Sequence, residues 1–395
     1  MDDHDPVIIG GARTGIGRLL GSLTGFSAAD LGGFAIKGAL DRAAIAPDMV
    51  EYVIMGHVLQ AGTGQITARQ AAVKAGIPMS TPATTVNKVC LSGLDAIAQA
   101  ADLIRLGEFD IIAAGGMESM TNAPHVLQNS RKGYKYGAVE MLDSMALDGL
   151  TDAFDGLSMG ESTERHNAKL GISREQQDEF AARSQQRAAK AAKDGLLAEE
   201  IVGIEITSSR DTVTFSADEG IRADTTVESL SKLRAAFGKE GTITAGTSSQ
   251  ISDGAAAVVV TSRAKAAELN AVILAEVGAF GTVAGPDNSL HFQPSNAIKK
   301  ALGKAGQTVK DLDLIEINEA FAAVGVASMG ALGVSPDIVN VNGGAIAVGH
   351  PLGASGARIA LTLAYELRRR GGGLGAAALC GGGGQGSALL LRAPR

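Results

Sequence analysis

The chain has 395 residues, with 35 Lys and Arg against 42 Asp and Glu, for a formal net charge of −7. That balance argues against nucleic acid or an anionic membrane as the main partner. The longest apolar runs, such as AAAVVV, are too short to span a bilayer, and two cysteines are too few for a disulfide framework.

The first predicted element is the buried strand PVIIGG. Ser27 with Asp30 three residues on forms a capping box that opens the helix SAADLGGFAIKGAL. EYVIMGHVL reads as a second strand. TTVNKV leads as a strand into Cys90, and GLDAIAQAADLIRLG follows as a helix closed by Gly107. DIIAAGG is the next strand. This alternation predicts an α/β fold with a mostly parallel sheet. Residues 121–160 break the pattern and hold the basic cluster Arg131, Lys132 and Lys135. The helix SREQQDEFAARSQQRAAKAAKDG follows, with Ser173 and Gln176 as its capping box and Gly195 as its stop. This middle part reads as an insertion with its own polar surface. Strand and helix alternate again from AAAVVV to the end.

The two ends of the chain echo each other. EYVIMGHVL matches DLIEINEAF, VNKVCLSGLDAI matches VNGGAIAVGHPLGASGARIAL, and DIIAAGG matches GAAALCGGGG. Three echoes in one order predict a duplicated unit, with the loops bearing Cys90, His350 and Cys380 meeting between the halves. Glycine, 52 of 395 residues, is nearly twice its usual share of about 7% and clusters at predicted turns.

The only two thiols, Cys90 and Cys380, stand among small residues. Cys90 lies between strand and helix, where the helix dipole favours thiolate. His350, in GHPLGASG, is placed to take its proton. The glycines after Cys380 allow backbone N–H groups to line an oxyanion site. Asn318, in INEAF, is able to orient a water or a substrate oxygen. Two glycine motifs mislead. CGGGGQG matches a dinucleotide loop, but the strand SALLLRAPR follows where a helix is required. GGARTGIG resembles the loop of short-chain dehydrogenases, but none of the four tyrosines has a lysine four residues on. Arg131, Lys132, Lys135 and Arg222 are available to phosphate groups.

Together VNKVCLSG, INEAF, GHPLGASGAR and CGGGGQG, in this order and spacing, resemble the thiolases, the acetyl-CoA C-acetyltransferases. The resemblance spans essentially the whole chain. It implies a thiolase-like, five-layered α-β-α-β-α fold from two similar halves. The first half would be 1–120 with 250–272, the inserted loop domain 121–249 and the second half 273–395. It implies Cys90 as the acylated nucleophile, His350 as its activator and Cys380 as the group that moves the α-proton. Asn318 would hold a water in one oxyanion site, and the N–H groups of Cys90 and Gly382 would form the other. Arg222 and Ser249 would contact coenzyme A, with Met159, Phe237 and Phe321 along the pantetheine tunnel. The expected substrates are acetyl-CoA, acetoacetyl-CoA and CoA, with no metal or other cofactor.

The segment SMTNAPHVLQNSRKGYKYG resembles the cationic loop of tetrameric members, so a homotetramer built as a dimer of dimers is expected. The opening MDDHDP lacks the build of a signal or transit peptide and RAPR matches no retention signal; a cytoplasmic protein is expected. Two departures bear on chain length: Ser158 stands where many members carry His, and LHFQPSNA replaces MGIGPVPA. The alternative is therefore a thiolase acting on longer 3-ketoacyl-CoA. Of the other readings, a thiol hydrolase would not need Cys380, and a non-enzymatic acyl-CoA binder would not keep all four reactive residues. A decarboxylating ketoacyl synthase pairs one Cys with two His, against the Asn318 and Cys380 found here.

Overall fold

The structure, a computed structural model, describes residues 3–207 and 211–394. In chain order its main elements are β1 (Pro6–Thr14), α1 (Ala28–Ala43), β2 (Tyr52–Gly56), α2 (Thr67–Lys74), β3 (Ala83–Val86), α3 (Ser92–Arg105), β4 (Ile111–Ser119), α4 (Met159–Leu170), α5 (Arg174–Lys193), β5 (Ser252–Ser262), β6 (Ala275–Ala284), α6 (Gln293–Lys304), β7 (Leu314–Ile317), α7 (Ala322–Leu332), α8 (Ser355–Arg369), β8 (Gly373–Gly381) and β9 (Gln385–Ala393). Among the described residues no helix is long and apolar enough to cross a membrane.

The main strands run in the order β7-β8-β9-β6-β1-β5-β4-β2-β3. The expectation of a mostly parallel sheet is corrected: the sheet is mixed. β2 is parallel to β3 and β4, and β7 to β8. β5 runs antiparallel to β1 and β4, and β9 antiparallel to β6 and β8. The physical reason is visible at the C-terminal end. β8 and β9 are joined by a tight glycine turn, and a hairpin forces antiparallel pairing, whereas parallel neighbours need a crossover.

The duplication is real. In the first half β2 pairs with β4, β4 with β5 and β5 with β1; in the second β7 pairs with β8, β8 with β9 and β9 with β6. The three sequence echoes fall on equivalent elements: β2 and β7, α3 and α8, β4 and β8. Among the described residues the two half-sheets are joined by two paired positions, Val7 with Glu276 and Ile8 with Ala275. The sheets then lie on either side of α3 and α8, which pack against strands of both.

Alternation along the strands builds the layers. Val258, Val260, Leu389 and Leu391 face the central helices α3 and α8. Ala257 and Val259 face α1 and α2, and Ala388 and Leu390 face α6. Strands covered on both faces read as continuous apolar runs, as AAAVVV did. The result is a helix–sheet–helix–sheet–helix stack.

The segment between β4 and β5 carries α4, α5 and two short strand pairs, His125–Val126 with Leu142–Asp143 and Ile204–Thr207 with Thr212–Phe215. It is fastened to the first half by buried Arg13, which meets Glu200 at 2.9 Å and Asp218 at 2.6 Å. The capping boxes at Ser27 and Ser173 form as the sequence predicts. Ser158 caps α4 through a further box with Glu161, so the departure at this position is a helix start.

Candidate active site

Cys90 sits in a sharp elbow between β3 and α3. Val89 has φ 50°, a left-handed conformation that a β-branched residue rarely adopts. Ser92 locks the turn: its Oγ accepts the Lys88 N–H at 2.8 Å and donates to the Val89 carbonyl at 2.6 Å. Lys88 Nζ anchors the same elbow to Asp95 at 2.8 Å, and to the second half through Thr282 at 2.9 Å.

His350 arrives from the other half, on the loop that opens α8. The two loops meet because α3 and α8 touch at their first turns. A side chain on Gly356 would come within 2.3 Å of the Leu94 nitrogen, and one on Gly93 within 2.8 Å of the Ala357 nitrogen. Two glycines therefore let the helix starts approach backbone to backbone. His350 Nε2 lies 3.3 Å from Cys90 Sγ.

The imidazole's proton can be placed by elimination. Ser355 Oγ donates its only hydrogen to the Pro351 carbonyl at 2.9 Å. It is also 2.6 Å from His350 Nδ1, so it accepts the Nδ1–H. Nε2 then presents a lone pair to the thiol. Glu118, fully buried, holds the His350 loop in place by accepting the Gly353 N–H at 2.8 Å. The same carboxylate accepts the N–H groups of Val58 and Leu59, each at 3.1 Å.

Cys380 lies at the end of β8. Asn318 follows the parallel neighbour β7, its N–H bonded to the Ala378 carbonyl at 2.9 Å. Its Nδ2 lies 3.4 Å from both imidazole nitrogens. Its Oδ1 is buried without a protein partner, which leaves an acceptor free for a water.

One cavity of about 60 Å³ is lined by Cys90, His350, Cys380, Gly382, Ser249, Met159 and Phe321, among others. Leu290, from the departing stretch, is also in its wall. Phe237 stands behind, edge-to-face on Phe321 at 6.0 Å. Asn318 reaches the cavity through His350. Arg222 is exposed and outside this lining; its N–H donates to Gln185 Oε1 at 2.7 Å. Arg131, Lys132 and Lys135 are exposed on the segment after β4.

The electrostatics correct one expectation. Cys90 is not a preformed thiolate: burial, with a smaller contribution from Glu118, pushes its thiol up to about 12. The helix begins two residues later, at Ser92, and desolvation outweighs its dipole. Cys380 is pushed up further, by burial and by neighbouring Cys90. Burial, with Arg358 adding to it, holds His350 down at about 3. These shifts favour the neutral form of all three groups, two thiols and an imidazole, in the resting site.

Ser355 and Glu118 were not singled out in the sequence, and Leu290 only as part of the stretch LHFQPSNA. A serine five residues after His350 is a usable signal, since it falls at the start of α8. Glu118 gives none: a lone acid at a strand end is read only once its three N–H donors are in space.

The thiolase N-terminal domain family matches residues 6–264 and the thiolase C-terminal domain family residues 271–393. The chain belongs to the thiolase family. It is 60% identical over 388 residues to the "Probable acetyl-CoA acetyltransferase" of Mycobacterium leprae, covering 98% of this chain and 99% of that protein. It is 48% identical to the acetyl-CoA acetyltransferase of Chromobacterium violaceum, with 98% and 99% covered. The crystal structure of the Bacillus anthracis acetyl-CoA acetyltransferase superposes with a TM-score of 0.96 at 39% identity, covering 99% of both chains.

Proposed function

We propose that the chain is an acetyl-CoA acetyltransferase, which joins two acetyl-CoA into acetoacetyl-CoA and CoA and runs the thiolysis in reverse. The observation that carries this reading is one cavity in which His350 Nε2 faces the Cys90 sulfur at 3.3 Å and Cys380 is a second wall. In the first step His350 takes the Cys90 proton and the sulfur attacks the acetyl carbonyl. The carbonyl oxygen is held by the N–H groups of Cys90 and Gly382. The C–S bond to CoA breaks, and Cys380 gives the leaving sulfur its proton.

In the second step the Cys380 thiolate removes the α-proton of a second acetyl-CoA. The enolate oxygen is held by the His350 imidazolium and by a water on Asn318. The enolate carbon attacks the acetyl-cysteine, acetoacetyl-CoA leaves, and the imidazolium returns its proton to Cys90. Ping-pong kinetics follow. The small cavity walled by Met159, Leu290 and Phe321 favours the short acyl group over longer 3-ketoacyl chains.

The same proposal keeps the division 1–120 with 250–272, 121–249 and 273–395. The middle part supplies Met159, Arg222, Phe237 and Ser249 to coenzyme A. Exposed Leu127, Tyr134, Tyr136 and Met141 on this middle part support a homotetramer; light scattering at dimer mass would remove that part of the reading. Two free thiols support a reducing, cytoplasmic setting. The test of function is loss of acetoacetyl-CoA absorbance on adding CoA. Cys380→Ala should abolish condensation and α-proton exchange; a full condensation rate in that variant contradicts the assignment.

A further inference from the structure

The turn that carries Gly382 is clamped from two sides. Gly383 and Gly384 have φ 73° and 65°, conformations that leave the turn soft unless its surroundings fix it. On one side the Gly285 N–H donates to the Gly384 carbonyl at 2.9 Å. On the other side lies the strap 151–155. Asp152 is only 2% exposed. Its Oδ1 accepts the N–H groups of Phe154 at 2.9 Å and Asp155 at 3.2 Å, and its Oδ2 accepts the Gly383 N–H at 3.2 Å. Asp155 in turn ties the strap to the first side, accepting from Asn288 Nδ2 at 2.7 Å. The Phe154 ring lies over Gly383, where an added Cβ would meet it at 3.1 Å.

We infer that Asp152 is a positioning residue for the oxyanion site of acyl transfer: its carboxylate holds the Gly383 N–H and so aims the neighbouring Gly382 N–H into the cavity. A charged acceptor grips an N–H about twice as strongly as a neutral one. The two peptide planes share the Gly382 Cα, so pinning the Gly383 N–H restricts the Gly382 torsions that aim the preceding N–H. The mechanism above uses Gly382 but not Asp152, and the inference rests on that mechanism.

Asp152→Asn separates the roles. The remaining oxygen keeps the turn at Phe154 and Asp155, while the new NH₂ faces Gly383 donor to donor. The experiment follows acetylation of Cys90 by radiolabelled acetyl-CoA and, separately, alkylation of Cys90 by iodoacetamide, which forms no oxyanion. Loss of one aimed donor costs about 10²–10³ in rate and misplacement by about 1 Å costs up to about 10². Acetylation is expected to slow about tenfold to a hundredfold, with alkylation within about twofold of the parent. Unchanged acetylation, or both reactions slowed by one factor, overturns the inference. Failure of the parent protein to acetylate overturns the mechanism instead.

Discussion

At the residue scale the site sets the half-buried Cys90 thiol beside the buried His350 imidazole. With Cys90 pushed up to about 12 and His350 held down at about 3, the thiolate fraction near neutrality is small and grows with pH. Iodoacetamide alkylation of Cys90 should therefore keep rising past pH 9. A plateau with a midpoint near 7 would mean a resting thiolate–imidazolium pair. Ser355 sets which nitrogen faces the sulfur, so Ser355→Ala frees the ring to turn or to change tautomer. Thiolysis kcat should fall about tenfold to a hundredfold, the range of a misplaced general base, and stopped assays at saturating substrate read it. The residues proposed to react were visible in the sequence because each stands in a turn motif: Cys90 and His350 before helices, Cys380 before a run of glycines. Glu118, Ser355 and Asp152 were not. Glu118 and Asp152 bond backbone groups far away in the chain, at Val58, Leu59 and Gly353 and at Gly383, and sequence spacing carries no trace of those contacts. Ser355 has local partners, His350 and Pro351, and its spacing was overlooked.

At the element scale the juxtaposition of the two loops depends on the touching first turns of α3 and α8. Gly356→Ala tests this. Alanine is the better helix former by up to about 1 kcal/mol, so an unconstrained site would be stabilised. Here the added carbon would sit 2.3 Å from the Leu94 nitrogen and 3.0 Å from its Cα. These are backbone atoms that cannot swing aside, and overpacking costs about 1–3 kcal/mol. The expected outcome is a lower urea midpoint together with lost thiolysis; a variant as stable and active as the parent would refute the close approach. Helices with capping side chains were readable, as at Ser27 and Ser173. α2 and α6 were not, because they start on Ile66 and Phe292 with no side-chain cap. α4 had the signal, Ser158 with Glu161, but Ser158 was read as a departure from a family pattern instead of as a cap.

At the scale of the whole molecule the fold is one unit used twice, with the cavity of the proposed chemistry in the seam. Its alternation of strands and helices was readable; the strand directions were not, because β5 and β9 return antiparallel by connections that hydrophobic pattern does not encode. Burying so many polar groups also makes stability depend on pH. His291, fully buried behind Leu290, is 2.6 Å from Asn167 Oδ1. Burial, with help from His166, lowers it to about 4 from 6.5. Between those values the unfolded chain binds the extra proton, so this residue's contribution is full above pH 6.5 and is lost as pH falls to about 4. His291→Gln should remove that slope, worth about 3 kcal/mol over the window at about 1.4 kcal/mol per pKa unit. Denaturant unfolding of both proteins across pH 4–7 reads it, and parallel curves would contradict it. The most direct test of the account is peptide mapping by mass spectrometry after brief exposure to acetyl-CoA and acid quench. An acetyl group on Cys90 that added CoA removes is the predicted result; acetylation of Cys380 instead, or of neither thiol, would contradict it.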